Sequence, residues 1–324
     1  MKRALLSTLK YGSAAIAMAT TLSASAIISG RPADKRIGKA AIYVYDEKNQ
    51  ASCSGVVVHP RLILTAAHCL IHTKKNLLSF SNSRSPYKSK FSLPISDLIT
   101  HEGYAGDQNG LQSATQSTGD LGLVVLSESI LGRFDLVLAD LPPIATDASD
   151  LEYSLRIIGF GYESRSATHE TAAKRELLVS IAGAIAKPTA LRLESLEEKK
   201  SACFGDSGSG VFADDGHEAR LVGIVCSIKP GGKLAEEFAA KSAAARAKNE
   251  EKRQKQIAKN LKKGITTPVP VIPINLSEGL LSRVCGDKDT VTQAIPVARH
   301  LCWIQKATSI SLVSGLDCSS SGVK

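Results

Sequence analysis

Three short segments of this chain hold residue types that together could hydrolyse an acyl bond. His68 stands in TAAHC, directly after the apolar run LILTAA; Asp120 heads GDLGLVVL; Ser207 lies between glycines in CFGDSGSG. A serine hydroxyl is a poor nucleophile at neutral pH. It needs a base to take its proton and a buried acid to hold that base in one tautomer and orientation. Glycines beside the serine permit a turn whose N–H groups can face a developing oxyanion. Each segment alone has a plainer explanation, since a single histidine is more often structural and Gly-Asp-Ser-Gly makes an ordinary turn. All three in one chain, in the order His, Asp, Ser, point to nucleophilic hydrolysis.

The elements that must position these residues read as strands. From Ile27 to about Arg133, short β-branched runs (AIYVY, SGVVVHPRLILTAA, DLGLVVL) alternate with polar turns. LADLPPIATDASD reads as a crossing linker, because Pro142-Pro143 cannot continue a strand. Strand-like runs resume with SLRIIGFGY, RELLVSIAGAIA, SGVFAD and RLVGIVCSI. The pattern predicts an all-β fold of two halves, about 27–140 and 141–308, each a β-barrel or sandwich. VARHLCWIQKAT reads as a short C-terminal helix, and residues 309–324 as a tail carrying Cys318.

Residues 233–263 break this texture. They contain no Gly or Pro and consist mostly of Ala, Lys, Glu, Arg and Gln, the strong helix formers. Apolar residues occur only at Leu234, Phe238, Ile257 and Leu261 among the alanines, so the expectation is a basic insertion that is either a solvated helix or partly disordered. Such a segment could also dock on an acidic surface or on membrane headgroups.

Length and charge bound the rest. The 324 residues are 43% apolar and 22% charged, enough for a large core and against wholesale disorder. The formal charge of +9 is local. Lys2, Arg3 and Lys10 supply +3, and the stretch from Lys229 to Lys263 supplies +7, leaving a nearly neutral body. No nucleic-acid partner is expected from such a distribution. The basic start MKRALLSTLK, the small-apolar stretch YGSAAIAMATTL and Ala24-Ser25-Ala26 read as an export signal over 1–26 with an A-x-A cleavage site. The protein is therefore expected to be secreted or periplasmic, where its seven cysteines can form up to three disulfides.

With TAAHC, GDLGLVVL and CFGDSGSG in this order, the chain from Ile27 to about Thr308 resembles the trypsin/chymotrypsin-like serine peptidases. The resemblance implies two packed antiparallel β-barrels, with His and Asp on the first, Ser on the second and the substrate in the cleft between. It makes His68 the general base and then acid, Asp120 its orienting partner and Ser207 the nucleophile. The N–H groups of Gly205 and Ser207 would form the oxyanion hole. Two departures stand out. Phe160 in IIGFGY replaces the family's Trp, and GDSGSGV replaces GDSGGP, so Ser209 and Gly210 bear on the geometry of the turn more than on its chemistry.

In this family a new N-terminus inserts its ammonium beside the Asp that precedes the nucleophile, here Asp206. Two N-termini compete. Ile27 of IISG follows Ala26 directly and lies 26 residues before Cys53; Ile37-Gly38 follows Lys35-Arg36 but lies only 16 residues before it. The spacing favours Ile27, so that signal cleavage itself would create the activating end. An α-amino group that gains a carboxylate partner has its pKa raised. The pair then contributes fully below the unfolded value and is lost as pH climbs through the folded one.

The resemblance also implies a Cys53–Cys69 disulfide beside the histidine and places Cys203 next to the substrate pocket. The usual partner of Cys203 is missing after RLVGIVCSI, and Cys285 takes its place once the insertion is removed. Cys302 and Cys318 would close the tail, leaving Cys226 as a buried inert thiol. Six residues before the nucleophile, the pocket floor is Ser201 rather than Asp, and Ile228 stands where a Gly is common. Small or medium apolar P1 residues are the expectation, although Asp287 and Asp289 could supply charge from another wall. No cofactor and no metal are expected. His68 and His72 lack a third ligand at zinc spacing, and the basic stretch after Cys69 lacks the acids of a calcium loop. The reading is a secreted serine endopeptidase acting on peptides or proteins. The rival is a secreted binding protein on the same scaffold that works through its basic insertion. The oligomeric state is not legible.

Overall fold

Strands form where Val, Ile, Leu and aromatic residues run for four or more positions between Gly, Pro, Asn or Asp. In the structure, a computed structural model, the described residues are 27–28, 30–83, 86–104, 119–162, 172–182, 189–267, 283–287 and 289–319. The expected signal segment 1–26 lies outside them, as does most of the polar stretch before Asp120.

The first sheet holds β2 (Ala41–Asp46), β3 (Ala51–His59), β4 (Leu62–Thr65), β5 (Leu78–Ser81), β6 (Ile95–Thr100) and β7 (Gly122–Leu126), in the order β5-β2-β3-β4-β7-β6. The second holds β1 (Arg31–Pro32), β8 (Ser154–Gly159), β9 (Arg175–Ile181), β10 (Leu191–Ser195), β11 (Gly210–Asp214), β12 (Ala219–Lys229) and β13 (Val291–Pro296). Its order is β1-β9-β10-β13-β12-β11-β8, and β8 pairs back onto β9 to close the barrel. All these pairings are antiparallel. The fold is therefore all-β with two barrel-like sheets, and α2 (Leu301–Thr308) is the short C-terminal helix.

Strand periodicity explains how the two sheets become one body. Along β2, Ile42 and Val44 point into the first barrel with Ile63 and Phe80. Tyr43 and Tyr45 point the other way, into a layer that also holds Phe160, Phe212, Ile224 and Leu301. The edge contact of Tyr43 with Phe160, ring centroids 5.8 Å apart, lies in this layer. The second barrel has its own core of Leu155, Ile157, Val179, Leu193, Val211 and Val225.

The insertion is a single helix, α1 (Gly232–Lys262). Leu234 and Phe238 anchor its first turns against Val284 and Ile228, and Arg283 pairs with Glu237 at 2.9 Å. Further along, the helix carries internal i,i+4 pairs such as Lys241–Glu237 and Lys255–Glu251 on its solvent side.

Five strands were not legible in advance: β1, β5, β6, β10 and β13. LSFS and ISDLIT mix polar with apolar residues, and VTQAIP ends on proline, so none announces itself without a partner strand. The first-barrel boundary at residue 27 also shifts. Arg31 and Pro32 pair with Glu176 and Arg175 of β9, because Ile27 is buried in the second barrel.

Candidate active site

The fully buried run Leu62–Leu64 fixes β4 in the first barrel, after which the chain turns through one short helical turn, Ala67–Cys69. β4 pairs with β7 so that Thr65 faces Gly122. Gly122 is required there, because a Cβ would sit 2.8 Å from Leu70 Cδ1 and 3.0 Å from Ala66 O. That close approach sets Asp120 beside the histidine turn. His68 donates its backbone N–H to Asp120 Oδ1 at 3.0 Å, and its Nδ1 lies 2.8 Å from Oδ2. The Asp120 side chain has no solvent exposure and that of His68 has 27%. An ionised carboxylate can only accept, so this contact places a proton on Nδ1 and leaves Nε2 as the basic nitrogen.

Ser207 sits in a turn of the second barrel closed by bonds from Asp206 N–H to Cys203 O (3.1 Å) and from Ser209 N–H to Asp206 O (2.9 Å). Gly205 and Gly208 hold φ of +89° and +87°, in the left-handed region. At Gly208 a Cβ would lie 1.9 Å from Ser54 O. The N–H groups of Gly205 and Ser207 have no acceptor among the described residues. His68, Gly205 and Ser207 line one cleft of about 580 Å³, together with Cys53, Cys69, His72, Tyr162 and Phe204.

Sequence reasoning missed Ser54. It is fully buried on β3, its N–H donates to Ser207 O (2.7 Å) and its Oγ donates to Gly205 O (2.9 Å). The same Oγ accepts from Phe160 N–H (2.9 Å), and Ser54 O accepts from Thr65 Oγ1 (2.7 Å). One residue of the first barrel thus holds both carbonyls that flank Asp206. A serine after a half-cystine carries no pattern that would have revealed this.

Asp206 points away from the cleft. Its carboxyl accepts from Gly161 N–H and Cys203 N–H, each at 2.8 Å, and complete burial pushes its pKa up to about 7 against those two bonds. Ile27 is fully buried with Ile157, Val211 and Val225, and Ile28 packs on Cys203 and Cys285. The competing Ile37 is buried in the inter-barrel layer. Arg36 before it is tied to Asp214 at 2.7 Å and to His217 O at 3.2 Å.

Disulfides join Cys53 to Cys69, Cys203 to Cys285, and Cys302 to Cys318. Cys226 is free and buried, and burial beside Asp120 pushes its thiol up to about 12. Ser201 is 2% exposed, donating to Ala202 O (2.9 Å) and accepting from Gly286 N–H (2.7 Å). Ile228 packs between the Cys203–Cys285 bridge and the base of α1. Asp289 lies against Gly231 and Gly232 at the start of α1, where a negative charge suits the helix dipole. Cys53, His68 and Cys69 are the one group of potential metal-binding side chains among the described residues, but the two sulfurs are bonded to each other.

Two barrel-like sheets with a His paired to a buried Asp, on one cleft with a serine turn, define a class of protein, and comparison agrees. The family model described as Trypsin matches residues 27–247, and the chain belongs to that family. Among individual proteins it is similar to rat vitamin K-dependent protein C, 25% identical over 199 residues, which covers 56% of this chain and 41% of that protein. It is also similar to human kallikrein-2, 33% identical over 113 residues, covering 34% of this chain and 43% of the relative. The chain spans less than half the length of these curated relatives.

Proposed function

We propose that the chain is an exported serine endopeptidase that works through an acyl-enzyme. The observation that carries this reading is the doubly bonded His68–Asp120 pair, its acid fully buried, on the same cleft as Ser207. Ser207 Oγ attacks the scissile carbonyl carbon while His68 Nε2 takes its proton. The oxyanion is received by the N–H groups of Gly205 and Ser207, whose lack of other acceptors supports that role. As the C–N bond breaks, His68 returns the proton to the leaving amine. Water then repeats the sequence on the acyl-enzyme.

The preferred P1 residue is small or medium and apolar. Ser201 offers no charge at the pocket floor, Asp289 is taken up at the base of α1, and Ile228 narrows the wall. Export removes residues 1–26, and the new Ile27 ammonium pairs with Asp206. The burial of Ile27 beside that turn and the anchoring of Arg36–Ile37 support Ile27 over Ile37. Three disulfides are consistent with an oxidising compartment.

The test is cleavage of a peptide library varied at P1 by the mature protein, with Ser207→Ala alongside. Cleavage after small apolar residues, lost in the variant, is expected. Cleavage after Lys or Arg would overturn the pocket assignment. Silence from a protein shown to begin at Ile27 would overturn the peptidase reading in favour of a binding protein acting through α1.

A further inference from the structure

The nucleophile turn holds a second polar group that the chemistry above does not use. Ser209 is fully buried, and its Oγ has no hydrogen-bond partner among the described residues. Its backbone is committed, the N–H to Asp206 O at 2.9 Å and the carbonyl to Val225 N–H at 2.8 Å. With the backbone fixed and the residue enclosed on all sides, no rotamer brings the hydroxyl far into solvent without moving its neighbours. A buried hydroxyl without a partner costs about 1–3 kcal/mol, so it calls for an explanation.

Its direction supplies one. A Cβ placed on Gly159 would sit 2.0 Å from Ser209 Oγ and 2.4 Å from Asp206 Oδ1. A Cβ on Gly161 would meet the same carboxylate at 2.3 Å. The two oxygens converge beside the side-chain-free positions Gly159 and Gly161, one from a carboxyl and one from a hydroxyl, both shut off from water. The carboxyl has two backbone donors and no cation within ion-pair distance among the described residues. The carboxylate accepts and the Ser209 hydroxyl oxygen can accept on its lone pairs, so the site suits a small cation bearing several N–H groups. The chain brings a candidate to it. Ile27 is buried with Ile157, Val211 and Val225. The first two of these lie two residues from Gly159 and Ser209, and the third is bonded to Ser209.

We infer that Ser209 is a second binding residue for the Ile27 ammonium, its hydroxyl accepting one N–H while Asp206 accepts another. This rests on the Ile27–Asp206 reading and deepens it. The chain's departure from glycine at this position becomes a device that holds the activating end more tightly.

The test is the acetylation rate of the Ile27 α-amine in the mature full-length protein, followed by mass spectrometry with surface lysines as the internal standard. Acylation proceeds from the fraction with its amine withdrawn, so the rate reports the strength of the pairing. Asp206→Asn should raise the rate to that of an exposed amine. Ser209→Ala and Ser209→Gly should each raise it about tenfold, the effect of losing one hydrogen bond to a charged group. If Asp206→Asn exposes the amine while both Ser209 variants label at the parent rate, the Ser209 inference is wrong and the ion pair stands. If the amine labels freely in the parent, the ion-pair reading fails as well. Parent-like unfolding of the glycine variant guards against a folding defect in the alanine one.

Discussion

Ser54→Ala deletes one hydroxyl and tests whether the first barrel holds the nucleophile turn. That hydroxyl donates to Gly205 O and accepts from Phe160 N–H, both at 2.9 Å, in fully buried surroundings. The backbone bonds of Ser54 to Ser207 and Thr65 do not need the side chain and should survive. The variant leaves one buried acceptor and one buried donor unmatched, at about 1–3 kcal/mol each, so the expected loss of stability is about 2–6 kcal/mol. At a urea slope near 3 kcal/mol/M, the lower figure moves the midpoint down by about 0.7 M. Activity should fall too. The Gly205 carbonyl then lacks its tether, and the adjoining N–H offered to the oxyanion loses its fixed direction. A transition-state donor that is blurred lowers kcat, by about tenfold, and leaves KM within about twofold. Urea titration with the catalytic residues intact, and steady-state kinetics on one peptide, read the two effects separately. A midpoint within about 0.2 M of the parent, or a loss confined to KM, would refute the reasoning.

Three further outcomes are expected. In a form that keeps one residue before Ile27, burial holds the Asp206 pKa near 7, so between about pH 4 and 7 the folded state binds a proton that the unfolded state has released. Its stability should therefore fall as pH rises through that window, and Asp206→Asn should abolish the slope in urea titrations at pH 5 and 8; a slope unchanged in the variant would show that another group is responsible. Cys226, buried with its thiol pushed up to about 12, should resist iodoacetamide at pH 8 in the native protein and react after denaturation; native labelling would contradict its inert placement. Deleting residues 233–263 should alter turnover of large protein substrates more than of short peptides, because α1 rises from the Ile228 wall; equal effects on both would remove any gating role.

Much of the candidate site could be read in advance because its chemistry is local. TAAHC and CFGDSGSG are contiguous, so the sequence displays both the proposed nucleophile and the turn that carries it. The basic insertion was equally plain from composition, although its full order as a 31-residue helix depends on Leu234, Phe238 and the Arg283–Glu237 pair at its base. The strands β5, β6, β10 and β13 escaped because their residues are mixed in character. They become strands only through the ladders their neighbours offer. Ser54 and Ser209 escaped for a related reason, since a serine has no sequence signal until its surroundings decide what its hydroxyl can reach.

The sequence by itself determined the types and order of the residues proposed to react, the strand-rich class and the place of the charged insertion. Each follows from side-chain chemistry or short-range periodicity, which neighbours in the chain suffice to express. Tertiary structure decided how Asp120 meets His68 through two bonds, where the Asp206 carboxyl lies and which hydroxyl is stranded beside it. Those depend on pairing β4 with β7 and on packing β3 against the nucleophile turn, across separations of 52 and 151 residues. At such distances only the balance of burial, sheet register and hydrogen-bond satisfaction selects the partner.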